Sequence, residues 1–170
     1  MNMKPLATGV FFMDIGMLPL KNLYRKHDPL SVGEIDQIKQ HPTVGAEMLP
    51  HNVTAMAKLA IRCHHEDMDG SGYPDGLVGN KINIFSRILR IADAYSSATA
   101  DKIYKKGLSP VRALYEILYT ENRVFYDPIV LKVFASVMHP CPLGPNFNSK
   151  QGNSASWFAT IPNVPFNRRS

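Results

Sequence analysis

The sequence predicts an all-α domain, and three observations carry the prediction. Ser31 and Glu34 stand at capping-box spacing ahead of Ile35 and Ile38. Val53, Met56, Ala57, Ala60 and Ile61 recur at the i, i+3, i+4, i+7, i+8 spacing of an amphipathic helix. Ser109-Pro110 and Asp127-Pro128 each set a capping residue before a proline at the first helical position.

Taken in order, the capping box starts a helix near Val32. Pro42 disfavours helical backbone at His41, which places that histidine at a break before a second helix carrying Val44, Met48 and Leu49. Asn52 is the expected N-cap of the next helix. Its apolar stripe continues into His64 and His65, with His64 near the middle and His65 at the edge, so both imidazoles lean inward. Gly70, Gly72, Pro74, Gly76 and Gly79 then mark a loop of more than ten residues, a length that usually carries function. A helix from Ile84 to Ser97 follows, with Asp93 one turn beyond Leu89. Two more helices carry Leu114, Ile117 and Leu118, then Ile129, Val133, Phe134 and Val137. After His139 the chain turns to Pro, Asn, Ser and Gly, so residues 141–170 are expected to form an irregular or β-like extension.

Composition narrows the classes. A chain of 170 residues with 45% hydrophobic content supports one globular core. No apolar run approaches the roughly 20 residues of a spanning helix, and the first ten residues do not read as a secretory signal. A cytoplasmic location is expected. Cys63 and Cys141 make no disulfide framework, and Cys63 reads as a small buried hydrophobe. A net charge of +5 suits an anionic ligand such as a nucleotide and is too dispersed for duplex nucleic acid.

Asp14 is the only charge in the apolar run Val10 to Leu18, and Asp93 lies on an apolar helix side. A buried carboxylate needs a positive partner. Two carboxylates and three histidines, His41, His64 and His65, are therefore expected to converge, and one bound metal would satisfy all five. Oxygen and imidazole donors without thiolate suit Mn, Fe, Ni, Co or Zn. Taken singly, each of these residues reads more readily as a hydrogen-bonded core group than as a ligand; for the adjacent pair His64-His65, followed by Glu66, the two readings are even.

The run His64-His65-Glu66-Asp67-Met68-Asp69-Gly70-Ser71-Gly72-Tyr73-Pro74 resembles the HHExxDGxGYP signature of HD-GYP domains. Gly76-Leu77, Ile82, Ser86-Arg87-Ile88-Leu89, Ala92-Asp93 and His41-Pro42 with Gly45 extend the match over roughly residues 10–140. The resemblance implies an HD-domain helical bundle, in residues 1–140, that hydrolyses cyclic di-GMP or a related cyclic dinucleotide with divalent metal, iron or manganese first. It implies Asp14, His41, His64, His65 and Asp93 as metal ligands, with Asp14 and Asp93 catalytic. It implies substrate contacts from Gly72, Tyr73, Pro74, Arg87, Lys102 and Lys105, and an upstream sensor domain or signalling partner. The family's His-Asp-x-Gly-Lys is Met13-Asp14-Ile15-Gly16-Met17 here, Ser96-Ser97 replaces a common Asp-Ala, and residues 1–12 contain no His, Asp or Glu. The second metal thus loses donors, the domain is expected to be incomplete at its N-terminus, and impaired activity is expected. Three readings follow: a phosphodiesterase, a catalytically inactive module that binds cyclic dinucleotide or a protein, and a purely structural helical domain without ligand, which leaves five inward polar residues to find other partners.

Overall fold

The structure is a computed structural model that describes residues 2–24, 26, 28–101 and 106–138. The expected extension over residues 141–170, Cys141, and the two substrate candidates Lys102 and Lys105 lie outside them. Eight α-helices are described: α1 Lys4–Phe12, α2 Lys21–Tyr24, α3 Val32–Ile38, α4 His41–Met48, α5 Ala55–Arg62, α6 Ile84–Thr99, α7 Pro110–Tyr119 and α8 Pro128–Val137. Short 3-10 turns stand at Ile15–Leu20, Gly79–Lys81 and Glu121–Phe125. Among the described residues there is no strand, only an isolated bridge between Asp69 and Val78. No described helix is long and apolar enough to cross a membrane.

The helix starts are set locally. Ser31 accepts from the Glu34 N–H while the Glu34 carboxylate accepts from the Ser31 N–H at 2.7 Å, so two otherwise orphaned donors are satisfied at α3. Ser109 and Asp127 cap α7 and α8 ahead of their prolines. Two expectations are corrected. Thr54, not Asn52, caps α5, because Val53 closes a turn back onto the Pro50 carbonyl and delays the helix to Ala55. His41 is the first residue of α4 rather than a residue before it; Pro42 then falls in the first turn, where a missing N–H forfeits no helical bond.

Three apolar clusters hold the helices together. Ala60, Phe85 and Leu89 join α5 and α6, with Leu6 and Met13 packed on them from α1 and the turn after it. Ala46, Leu49 and Ile61 join α4 to α5. Ile91, Ile117, Tyr126 and Leu131 join α6, α7 and α8. Ile61, Leu89 and Ile91 are fully buried, and each such side chain contributes about 1.5–3 kcal/mol of transfer free energy. This framework fixes the C-terminal end of α5, the start of α4 and the middle of α6 against one another.

Candidate metal centre

Helix α5 stops at Arg62, and Cys63 takes φ −105° and ψ 15°, so His64 and His65 stand in a turn rather than on the helix. Both imidazoles lean inward as expected, but from this turn and not from the apolar stripe of a continuing helix. His64 is fully buried and His65 partly so. His41 enters from the first turn of α4, 3% exposed. One ring nitrogen from each of the three lies within 4.8 Å of the others.

The hydrogen bonding orients these rings as ligands. His41 Nδ1 is 2.7 Å from the Ile38 carbonyl and His64 Nδ1 is 2.6 Å from the Ile61 carbonyl. A carbonyl only accepts, so each Nδ1 carries its proton and each neutral ring presents an Nε2 lone pair. The two Nε2 atoms face one another at 3.4 Å. Two lone pairs at that separation repel unless a cation or a proton stands between them. Burial pushes the His64 pKa down to about 4, with His41 adding to the depression and the Ile61 carbonyl opposing it. It pushes His65 down to about 2, helped by His64, His41 and Arg90. Protonation is thus disfavoured at neutral pH, and a metal ion fits the donor set.

Carboxylates stand at both ends of the cluster. Asp14 Oδ1 is 3.5 Å from His41 Nε2, and Asp93 Oδ2 on α6 is 3.9 Å from His65 Nδ1. Of the five residues expected to bind metal, His41, His64 and His65 form one group, with Asp14 beside His41 and Asp93 beside His65. Asp14 departs from expectation in one respect: its side chain is 59% exposed, because the apolar run around it lies on the surface, with Phe11 82% exposed. Asp14 therefore closes the cluster from the solvent side. Met13 turns the other way, onto the Ala60, Phe85 and Leu89 cluster.

The glycine-rich loop folds back onto the histidines. The Tyr73 N–H donates to the His65 carbonyl at 3.1 Å, and the Tyr73 ring stacks on the His65 imidazole, centroids 4.8 Å apart at 21°. Burial first, then the Asp93 charge, pushes the Tyr73 phenol up to about 12, so it keeps its proton. A Cβ on Gly72 would meet the Asp67 nitrogen at 2.3 Å and the His65 carbonyl oxygen at 2.5 Å, so only glycine permits this approach. Pro74 follows Tyr73 through a cis peptide bond.

Sequence reasoning assigned no role to Glu66, although it lies inside the signature. Its carboxylate is 1% exposed and accepts the Asp75 and Leu77 N–H groups at 2.7 and 2.8 Å. It anchors the loop. Arg87, expected to contact substrate, is engaged by three protein acceptors. Its guanidinium donates to the Ile82 carbonyl at 2.8 Å, Asp127 at 2.9 Å and Asn80 at 3.3 Å, tying α6 to the start of α8. Cys63 is a buried free thiol whose pKa burial pushes up to about 11, the opposite of an activated nucleophile.

A family model described as an HD domain matches residues 6–130. The cyclic di-GMP phosphodiesterase PdeB of Borreliella burgdorferi is 33% identical over 119 residues, covering 69% of this chain and 31% of the relative. The cyclic di-GMP phosphodiesterase response regulator RpfG of Xanthomonas campestris is 34% identical over 120 residues, 68% of this chain and 31% of the relative. A 3'3'-cGAMP-specific phosphodiesterase of Vibrio cholerae is 30% identical over 121 residues, 69% of this chain and 23% of the relative. The chain spans about a third or less of the length of these relatives.

Proposed function

The chain belongs to the HD domain family, in its HD-GYP branch, and from that premise we propose that it is a metal-dependent phosphodiesterase acting on cyclic di-GMP. The observation that carries the reading is the facing pair of Nε2 atoms on His41 and His64, each ring fixed by its own carbonyl. In this reading His41, His64 and His65 would hold a divalent ion, with Asp14 and Asp93 as further ligands; iron or manganese comes first, with nickel, cobalt or zinc suited by the same donors. Such an ion supplies polarisation of a phosphoryl oxygen and a nucleophile available at neutral pH.

The chain's own groups do the positioning. The Ile38 and Ile61 carbonyls hold the Nδ1 protons, so in the neutral tautomers the Nε2 atoms carry the lone pairs a metal would use. Tyr73 fixes the His65 ring plane by stacking and keeps a phenolic O–H available as a donor. Glu66 sets the height of the Gly72-Tyr73-Pro74 turn, which would shape the base and phosphate pocket. Asp14 and Asp93 take the catalytic role, and Lys102 and Lys105 remain proposed phosphate contacts. We assign residues 1–140 to this domain and 141–170 to an extension, and we place the protein in the cytoplasm under an upstream sensor domain or a signalling partner.

One observation favours the second reading, an inactive module that binds the cyclic dinucleotide. Met13 packs into the core where the family carries a histidine, so one donor is lost. Cleavage of cyclic di-GMP by the full chain loaded with Mn²⁺ or Fe²⁺, followed chromatographically, separates the two. Appearance of linear dinucleotide or GMP supports the enzyme; tight nucleotide binding without turnover supports the module.

A further inference from the structure

Beside the histidine cluster lies a cavity of about 590 Å³ lined by His65, Arg90, Asp93, Ser97 and Lys106 among others, within the roughly 300–1,000 Å³ usual for small-molecule sites. Arg90 stands on its α6 wall with a side chain only 18% exposed. Its Nε donates to Asp67 at 2.8 Å, and its Cζ lies 5.2 Å from the centre of the Tyr126 ring. A buried guanidinium is costly unless paired, and Asp67 supplies the pair. Nothing in that pairing requires the cation to stand against a metal cluster.

Arg90 shares the wall of this cavity with His65 and Asp93, so its fixed positive charge stands against the space beside the cluster. A fixed cation so placed is of use when an anion occupies the space between it and the histidines. Lys106, on the same cavity, adds a second positive charge.

We propose that Arg90 is a phosphate-binding residue: Asp67 grips its Nε, and the Nη edge of the fork meets a phosphoryl oxygen lodged beside His65 and Asp93. The proposal rests on the phosphodiester reading above and adds a contact on α6, separate from the Gly72-Tyr73-Pro74 turn and from Lys102 and Lys105. A guanidinium suits this part because its planar fork matches phosphate oxygens in pairs.

The test titrates the full chain calorimetrically with inorganic phosphate and with cyclic di-GMP as separate probes, Mn²⁺ present, and measures Mn²⁺ binding alone. Arg90→Met is expected to weaken phosphate binding by at least about tenfold, the size of one charge-assisted hydrogen bond, with Mn²⁺ binding unchanged or tighter. Arg90→Lys keeps the ion pair to Asp67 and tests the fork if the methionine variant does not fold; it is expected to weaken phosphate binding as well. Unaltered phosphate affinity in the lysine variant, or in a folded methionine variant, overturns the proposal. So does loss of Mn²⁺ together with phosphate, or an unaltered protein that binds no phosphate. If the unaltered protein binds phosphate but not cyclic di-GMP, the substrate reading fails while the phosphate comparison still decides the role of Arg90.

Discussion

The Nε2 atoms of His41 and His64 face each other across 3.4 Å, and each ring has its Nδ1 engaged by a backbone carbonyl. The two histidines come from positions 23 residues apart, on the first turn of α4 and the turn after α5. In these tautomers neither lone pair has a proton to accept from the other, and a cation between them would relieve the repulsion.

His64→Ala removes one of the facing donors and leaves a void in a fully buried place. Mn²⁺ affinity is expected to fall by at least about a hundredfold, beyond the loss typical of altering a group that merely supports a ligand. The rise in melting temperature that Mn²⁺ gives the unaltered protein should vanish with it. An undiminished rise in the variant would place the ion elsewhere.

The metal-free protein should lose stability on mild acidification. Burial holds the folded pKa of His64 near 4 and of His65 near 2, below an unfolded value of about 6.5. The unfolded chain therefore binds protons first as pH falls. Stability is fully present above about 6.5 and declines through the window toward 4 and below. Melting temperature measured at pH 7 and pH 5 should drop; a flat profile would mean these rings are not held neutral.

Glu66→Gln tests the anchor of the loop. The carboxylate accepts two backbone N–H groups, whereas an amide offers one oxygen and turns an NH2 toward the second donor. The expected cost is about 1–3 kcal/mol. Hydrogen exchange should quicken at residues 70–77 before it quickens in α6. Uniform loss across the domain would count against a local anchor.

Gly72→Ala forces a Cβ against the Asp67 nitrogen and the His65 carbonyl. Both contacts are with backbone, so the loop must move and take Tyr73 off the His65 ring. Metal should still bind through His41 and His64, while affinity for cyclic di-GMP falls. Equal loss of both would mean the loop is part of the metal cage.

Much of this was legible in the sequence where local chemistry decides. Ser31 and Glu34 are three residues apart and satisfy one another, so the start of α3 needed no tertiary information. The choice between Asn52 and Thr54 did, because both are good caps and the turn from Pro50 to Val53 selects one. Asp14 was expected inside because its neighbours are apolar; the exposed Phe11 and Leu18 show that this run covers a surface instead. The five metal-site candidates were chosen by residue type, whereas the approach of His64 and His65 to His41 depends on a turn at Cys63 that periodicity does not encode. Arg90 was missed because its partner Asp67 is 23 residues away and its cavity exists only once α6 is packed.

The most direct measurement is metal stoichiometry on anaerobically purified protein, with cyclic di-GMP cleavage followed in the same sample under added Mn²⁺ or Fe²⁺. The account predicts at least one ion per chain, lost in His64→Ala, and metal-dependent appearance of linear dinucleotide or GMP. A protein that binds no ion, or that cleaves cyclic di-GMP equally well after chelation, would contradict it.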